Sequence, residues 1–306
     1  MVKQHEGGIS WTHFTFNPWW GCNKCSPACL NCYAERLSKR CGFDCFGSGK
    51  LARTFGEAHW NEPRKWNRKA KELGVRYRVF CGSMCDIFQQ RNEIEIQMAR
   101  AYLWRLIEET PHLDWLLLSK RPENAEMFIP QGWWGGWAEN AWAGATVENQ
   151  EAANKRIPSL LKLKAQRFFV SCEPLLGLIN LHSIPAGNGT YYDLSYSSGS
   201  GLFDRQSHRI RDARIDWLIV GGESGPGARP MHPDWVRSLR DQAQAAGVPF
   251  HFKQWGEWVP SPCIDPHVKS SQEIDVNGVR MFRVGKKSSG RLLDGKEWLE
   301  FPEDKR

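Results

Sequence analysis

Short apolar runs recur along the chain, and each of them ends in polar or glycine residues. Seven runs each have a core of four to six apolar or aromatic residues: His13–Cys22, Tyr77–Asp86, Leu113–Asn124, Ala141–Asn149, Gln166–Gly177, Ile215–Gly225 and Val248–Gly256. Cores of this length are typical of strands that are buried on both faces of a sheet. The pattern therefore predicts seven such strands.

Helical patterns separate several of these runs. They cover Asn92–Glu109, Asn149–Leu163 with an interruption at Pro158, and His232–Gly247 with Gly247 as a stop. Strands that alternate with helices indicate βαβ units and a parallel sheet. The sequence thus predicts an α/β fold, built as a complete or partial (β/α) barrel.

Two stretches break the alternation. Residues 184–212 are rich in Gly, Ser and Tyr, which predicts a hairpin or a mobile insertion between two barrel strands. After Trp258 the chain is punctuated by Pro and Gly. We expect a barrel domain over residues 1–256 and a small β-hairpin appendix over 257–306, with Lys286 and Lys287 at a basic tip.

Polar side chains follow nearly every predicted strand. In β/α barrels the chemistry gathers at the carboxyl ends of the strands. An alternative is that strands end where polar loops begin, but six charged ends in succession favour the rim of a site. The residues concerned are Asp86, Ser119, Lys120, Arg121, Thr146, Glu148, Ser171, Glu173, Gly221, Gly222, Glu223, Ser224, Lys253 and Gln254.

Composition and charge narrow the class of protein. Of 306 residues 41% are hydrophobic and 25% charged, which is typical of a globular protein. A net charge of +7 and 16 Trp favour an anionic partner such as nucleic acid or a nucleotide. The basic stretch Pro63–Gly74 is either a phosphate-contacting patch or a solvated helix face.

The chain carries no targeting signal that the sequence reveals. Its first residues are polar, and no apolar run approaches the ~20 residues that a membrane span needs. We therefore expect a soluble, cytoplasmic protein with no membrane partner. In a reducing compartment, the 10 Cys favour metal or cluster ligation over disulfides.

Four cysteines crowd into eleven residues in "GCNKCSPACLNCYAERL", after the first predicted strand. Cys22, Cys25, Cys29 and Cys32 supply soft thiolates, which suit zinc or an iron–sulfur cluster. Zinc fingers spread their ligand pairs over a dozen or more residues, whereas three residues separate these pairs. The compact spacing favours a cluster.

The spacing Cys25-x3-Cys29-x2-Cys32 resembles that of radical S-adenosylmethionine enzymes. In those enzymes three thiolates hold three irons of a [4Fe-4S] cluster. The fourth iron binds the methionine part of S-adenosylmethionine, and an electron from the cluster releases a 5′-deoxyadenosyl radical. Tyr33 fits the aromatic residue that is common beside the last cysteine.

The chain as a whole resembles the phage- and bacterium-encoded three-Cys-motif family, which is radical-SAM-like and of unknown function. The matching stretches include "FNPWWGC", "FCGSMCDIF", "LLLSKRPENA", "WAGATVENQEAANKRIPSLL", "FFVSCEPLLG" and "DWLIVGGESGPGARPMHPDWVRSLRDQ". The family pattern Gly-Cys-x6-Cys-x2-Cys implies Cys22, Cys29 and Cys32 as ligands, whereas the general spacing implies Cys25, Cys29 and Cys32. A closed four-thiolate site is a third alternative, and it would leave no open iron.

The resemblance implies a TIM-like barrel of radical-SAM type, in the cytoplasm of a bacterial host if the protein is phage-encoded. It also implies that Gly221, Gly222, Glu223 and Ser224 contact the cofactor. The predicted strand ends supply four catalytic candidates: Glu148, Glu173, Lys120 and Lys253. The two glutamates are expected to bind ribose hydroxyls, accept protons or pair with Lys120, Arg121 or Lys253. Arg229 and Lys253 are candidates to meet an anionic substrate group.

Several alternatives stay open at this stage. Cys41, Cys45, Cys81 and Cys85 form either a separate zinc site or two sets of buried thiols, and we favour the thiols. A second function is a non-catalytic nucleic-acid-binding protein with structural zinc, using Trp66, Trp133, Trp134 and Arg64–Lys71. The sequence also leaves open whether a partner protein completes the site.

Overall fold

The computed structural model describes residues 9–194, 200–263 and 267–303. The chain forms two compact units, and both are discontinuous in sequence. The first consists of Met1–Ser26, Cys32–Ala145 and Lys162–Phe168, and the second of Pro27–Asn31, Thr146–Leu161 and Phe169–Arg306. The predicted domain boundary at residue 257 falls inside the second unit.

The first unit contains the amino-terminal parallel strands. They are β1 (Phe14–Phe16), β2 (Tyr77–Cys81), β3 (Leu113–Ser119) and β4 (Ala141–Thr146). The helices are α1 (Tyr33–Arg40), α2 (Glu57–Leu73), α3 (Ile94–Glu109) and α4 (Ala125–Phe128). Every residue of β4 is buried, as expected for a strand that is covered on both faces.

The second unit contains the remaining parallel strands and its own helices. These parallel strands are β5 (Phe168–Cys172), β10 (Trp217–Gly221) and β11 (Phe250–Gln254). Strands β6 to β9, which lie between β5 and β10 in the sequence, belong to a separate sheet. Helix α5 spans Gln150–Leu160 and α6 spans Pro233–Ala246. Short 3-10 helices lie at Pro27–Cys29, Pro122–Asn124, Gln131–Trp133 and Ser261–Cys263.

The parallel strands confirm the seven predicted from the apolar runs. They follow the order β1-β2-β3-β4-β5-β10-β11 in one sheet. In register, Phe14 lies beside Val79, and Leu218 lies beside Phe250. Strands β1 and β11 stand at opposite ends of this order. The mixed α/β class is confirmed at this level.

Caps and breakers fix the helix ends. Asn149 caps α5 by accepting a hydrogen bond from the Ala152 N–H at 2.9 Å, and Gly247 ends α6 with a left-handed φ of 63°. The predicted interruption at Pro158 is wrong, because α5 continues to Leu160. Pro158 lies so near the end of the helix that its missing N–H removes little of the helical hydrogen bonding.

The predicted insertion forms a separate antiparallel sheet. Its four strands pair in chain order: β6 (Ile184–Gly187), β7 (Thr190–Asp193), β8 (Gly201–Phe203) and β9 (Arg209–Asp212). Residues 195–199 of this stretch lie outside the described part of the chain.

The described part of the carboxyl-terminal appendix is rich in β-strands. Strand β12 (Trp258–Pro260) pairs with β14 (Val279–Arg283), which also pairs with β13 (Gln272–Val276). A two-residue turn, Asn277–Gly278 with φ of 51° and 84°, joins β13 to β14. Strands β15 (Leu292–Leu293) and β16 (Lys296–Glu297) form a second, minimal hairpin.

Lys286 and Lys287 therefore do not lie at a hairpin tip. They lie in the segment between β14 and β15, within a loop bounded by Gly285 and Gly290. Separately, none of the described helices is long and apolar enough to cross a lipid bilayer.

Candidate functional site

The cysteine segment follows β1, as the sequence predicts. Cys25 is exposed, and Cys22, Cys29 and Cys32 are each partly exposed. Cys32 precedes the first residue of α1 and occupies its N-cap position. In the part of the chain that the structure describes, no group of three or more His, Cys, Asp or Glu side chains is arranged to hold a metal ion. The assignment of ligands rests on their spacing and stays a prediction.

The backbone conformation at position 21, just before Cys22, requires a glycine. Gly21 has a φ of +123°, and a Cβ there would lie 2.5 Å from the carbonyl oxygen of Cys45. Its N–H donates to the Met84 carbonyl at 3.0 Å. A side chain at this position would displace the backbone that leads into Cys22.

Arg121 places a largely buried positive charge beside the sulfur of Cys22. Its Nη1 lies 3.8 Å from Cys22 Sγ and donates to Asp86 Oδ2 at 3.0 Å, while its Nη2 donates to the Asn23 carbonyl at 2.7 Å. Burial alone would lower the pKa of Arg121, but the negative charges of Asp86, Cys22 and Cys25 raise it above its ordinary value. The guanidinium thus anchors both the thiol and the backbone that follows it.

Asp86 is the acceptor on which this arrangement depends. Its side chain is buried, and Oδ1 accepts from Ser119 Oγ at 2.6 Å and the Phe88 N–H at 3.1 Å. Its Oδ2 accepts from the Lys120 N–H at 3.0 Å as well as from Arg121. Asp86 is therefore a fully engaged structural carboxylate, and Lys120 contributes its backbone N–H to it.

Glu148 is paired inside the second unit. Its side chain is buried, and Oε2 accepts from Arg156 Nη1 at 2.6 Å. The same Arg156 atom also donates to the Thr146 carbonyl at 2.7 Å. Lys120, Arg121 and Lys253 were the partners expected from the sequence, whereas the structure pairs Glu148 with Arg156, which lies two turns along α5. The available signal in the sequence was the spacing of Glu148 at a strand end and Arg156 eight residues later, on the helix that follows.

Glu173 and Lys253 meet at the ends of β5 and β11. Lys253 Nζ lies 2.7 Å from Glu173 Oε1, and Ser171 Oγ donates to Glu173 Oε2 at 3.1 Å. Both charged side chains keep some exposure, with 22% for Lys253 and 14% for Glu173. This pairing was among those expected from the sequence, and the two catalytic candidates remain reachable from solvent.

Glu223 joins the loop after β10 to part of the cysteine segment. Its Oε2 accepts from Asn31 Nδ2 at 3.0 Å, and Arg229 Nη2 donates to its Oε1 at 2.6 Å. Asn31 Nδ2 also donates to the Gly227 carbonyl at 2.7 Å, and Arg229 Nη2 to the Pro27 carbonyl at 3.1 Å. Burial would raise the pKa of Glu223, but the hydrogen bonds from Arg229 and Asn31 hold it below its ordinary value.

The glycines of "GGES" are needed by the fold itself. A Cβ on Gly222 would lie 1.8 Å from the Trp255 carbonyl oxygen, and one on Gly256 would lie 2.2 Å from the Glu223 carbonyl oxygen. A Cβ on Gly221 would lie 2.9 Å from Glu173 Oε1. The close approach is therefore between segments of the same chain, which gives these glycines a reason independent of any ligand.

Ser224 and Gln254 complete this part of the second unit. Gln254 Nε2 donates to the Gly222 carbonyl at 3.2 Å and to Ser224 Oγ at 3.3 Å. The four cofactor-binding candidates Gly221, Gly222, Glu223 and Ser224 thus lie next to the catalytic candidates Glu173 and Lys253.

The additional cysteines are mostly buried. Burial raises the pKa of the Cys81 and Cys172 thiols, and burial together with the charges of Cys81 and Cys22 raises that of Cys85. The Cys45 sulfur lies 3.1 Å from Ser38 Oγ, and Cys41 is exposed. For Cys45, Cys81 and Cys85 these positions favour buried thiols over a separate zinc site.

The aromatic residues proposed for base stacking differ in accessibility. Trp66 stacks on Phe14, with ring centroids 4.3 Å apart, and the side chain of Trp133 is buried with its Nε1 donating to Glu108 at 2.8 Å. Trp134 is 56% exposed. In the basic stretch, Arg64 pairs with Glu109 at 2.6 Å. Of the three tryptophans, Trp134 presents the most surface to a partner.

Comparison with known proteins gives a family for the chain. A search of curated proteins found no match, and neither did a search of solved structures. A family profile described as "Protein of unknown function (DUF5131)" matches residues 6–302, nearly the whole chain. The protein therefore belongs to the DUF5131 family, whose function is not characterised.

Proposed function

We propose that the protein is a radical-SAM-like iron–sulfur enzyme that generates a 5′-deoxyadenosyl radical and acts on a nucleic acid or nucleotide substrate. The observation that carries the proposal is a hydrogen bond from Asn31 Nδ2 to Glu223 Oε2 of the "GGES" loop, at 3.0 Å. Asn31 lies between Cys29 and Cys32 in the sequence. It ties a part of the cysteine motif to the loop that is the candidate for binding S-adenosylmethionine.

The donor set fits a [4Fe-4S] cluster in its chemistry. Thiolates are the ligands that such clusters use, and Cys22, Cys29 and Cys32 each retain access to solvent. Cys22 also has the cationic Arg121 at 3.8 Å, which favours an anionic group at that sulfur. When bound, the cluster would supply the electron that cleaves the sulfonium of S-adenosylmethionine.

The chain's own residues would orient the reactants. Glu223 stays ionised because Arg229 and Asn31 donate to it, so it fixes the 27–31 segment in place. Glu173 and Lys253 are the partly exposed charged pair beside the same loop, where they would contact substrate. A partial barrel of radical-SAM type is the corresponding proposal for the fold, supported by seven parallel strands in chain order.

Anaerobic purification followed by iron, sulfide and zinc analysis tests the proposal. We expect a brown protein with iron and sulfide, and 5′-deoxyadenosine on incubation with dithionite and S-adenosylmethionine. Colourless protein with stoichiometric zinc would contradict it. Iron without 5′-deoxyadenosine would indicate a closed four-thiolate cluster.

Single cysteine variants decide between the two candidate triads. Cys29→Ala and Cys32→Ala should both lose iron, because each belongs to both triads. We expect Cys22→Ala to lose iron and Cys25→Ala to retain it, since Arg121 contacts Cys22 and Cys25 is exposed. Loss of iron in Cys25→Ala alone would refute the choice of Cys22.

The alternative function, a non-catalytic nucleic-acid-binding protein, has one supporting observation: the exposure of Trp134. Trp134→Ala would then weaken binding of single-stranded nucleic acid by roughly tenfold, because stacking contributes about 1–3 kcal/mol per base. Iron-free protein with this dependence would favour the alternative.

A further inference from the structure

The backbone on either side of Cys22 is held by the loop that follows β2. The Gly21 N–H donates to the Met84 carbonyl at 3.0 Å, and the Asn23 N–H donates to Gln89 Oε1 at 3.0 Å. Both acceptors lie between β2 and α3, in the same compact unit as Cys22. Because both neighbours of Cys22 are hydrogen-bonded to one loop, the first unit itself determines the backbone position of this cysteine.

Arg121 adds a contact to the sulfur of Cys22. Its Nη2 donates to the Asn23 carbonyl at 2.7 Å, and its Nη1 donates to Cys22 Sγ at 3.8 Å and to Asp86 Oδ2 at 3.0 Å. Each Nη of a guanidinium carries two hydrogens, so Nη1 has one for the carboxylate and one for the sulfur. The ion pair with Asp86 therefore does not compete with the contact to Cys22.

Burial strengthens the electrostatic effect of this contact. The side chain of Arg121 is 13% exposed and that of Asp86 is 6% exposed. Charges interact more strongly away from water, because the effective dielectric constant is lower there. Asp86 also accepts from Ser119 Oγ at 2.6 Å and from the Lys120 N–H at 3.0 Å, so several donors share its negative charge. A change of charge at the Cys22 sulfur therefore changes its interaction with Arg121 appreciably.

We propose that Arg121 is a positioning residue that raises the reduction potential of an iron–sulfur cluster held through Cys22. The role assigned to Arg121 rests on the proposed function, since it takes Cys22 as a ligand. Reduction adds one electron from an external reductant and breaks no bond, so the negative charge beside Arg121 increases. A cationic donor at a ligand sulfur favours the reduced state, and hydrogen bonds to the sulfurs are among the factors that set the potential of such clusters.

Reductive titration of the anaerobically reconstituted protein with dithionite, followed by electron paramagnetic resonance, tests this role. Arg121→Gln should shift the equilibrium about tenfold toward the oxidised state, which lowers the potential by about 59 mV for a one-electron couple. Asp86→Asn should raise the potential, because it removes the negative charge that partly offsets Arg121. Both substitutions break the same ion pair, so shifts of opposite sign distinguish an electrostatic role from a merely structural one.

Arg76 supplies the matched control within the first unit. Its Nη2 lies 2.7 Å from Asp114 Oδ1, and the two side chains are 21% and 5% exposed. Arg76 directly precedes β2, so it lies at the opposite end of that strand from the loop that holds Cys22. Arg76→Gln should leave the potential unchanged, although it removes the same charge. Equal shifts in Arg76→Gln and Arg121→Gln, or shifts of the same sign in Arg121→Gln and Asp86→Asn, would overturn the role of Arg121.

Further outcomes separate this role from the proposed function. A cluster that yields no 5′-deoxyadenosine but shows the opposite shifts would refute the enzyme and support the role of Arg121. An active enzyme whose potential is unchanged in Arg121→Gln would do the reverse, and unaltered protein that binds no iron would overturn both. If Arg121→Gln binds no iron, Asp86→Asn decides: a raised potential supports the role, and an unchanged or lowered potential overturns it.

Discussion

Arg121 in the first unit and Lys286 in the second are both cations near carboxylates, but their pKa values shift in opposite directions. The pKa of Arg121 is raised, because Asp86 accepts its hydrogen bond at 3.0 Å and two cysteines add negative charge. The pKa of Lys286 is lowered by burial and by Lys253. The difference separates a cation that bonds directly to a carboxylate from one for which, in the described residues, burial and a second cation outweigh the carboxylates nearby.

The largest expected effect is on stability at Arg121. Asp86→Asn should lower the free energy of unfolding by about 3 kcal/mol, because it leaves a largely buried guanidinium without its carboxylate. Chemical denaturation of apoprotein measures this directly. Glu173→Gln is the matched variant: its partner is partly exposed, so the loss should stay below about 1 kcal/mol. Equal losses of unfolding free energy in the two variants would contradict the expectation that the more buried ion pair contributes more.

The smallest effect is a dependence on pH. The pKa of Lys286 is lower in the folded chain than its ordinary value of 10.5, so its unfavourable contribution to stability is full below the folded pKa. That contribution disappears as pH rises toward 10.5, so the apoprotein should gain slightly in stability there. Chemical denaturation over this pH range should show the gain in the unaltered protein and not in Lys286→Gln.

The seven parallel strands could be predicted because their signal is local. A buried strand such as β4 needs apolar residues along its whole length, and that requirement is visible in one run of sequence. For helix α2, the sequence offered a solvated helix face over Pro63–Gly74 as one of two alternatives, and the structure confirms a helix there that begins earlier, at Glu57. A β-hairpin was predicted within 257–306, but its turn was placed at Lys286 and Lys287 although Asn277–Gly278 is a known turn signal.

The partners of the charged residues could not be predicted in the same way. Arg121 and Cys22 lie 99 positions apart, and Asn31 and Glu223 lie 192 apart. Such pairs are fixed by the order of strands and by loop geometry, neither of which a single sequence displays. The sequence predicted charged residues at the strand ends, whereas it did not predict which partner each of them has.

The mutual approach of Gly222 and Gly256 has a consequence for how this family can vary. Each glycine leaves room for the backbone of the other's loop, since a Cβ on Gly222 would lie 1.8 Å from the Trp255 carbonyl and one on Gly256 would lie 2.2 Å from the Glu223 carbonyl. A neighbouring side chain cannot make room at either position by changing its rotamer, because the atoms that a Cβ would meet belong to the main chain. In a randomised library of both codons, folded survivors should carry glycine at both positions, or replacements that arise only as a pair.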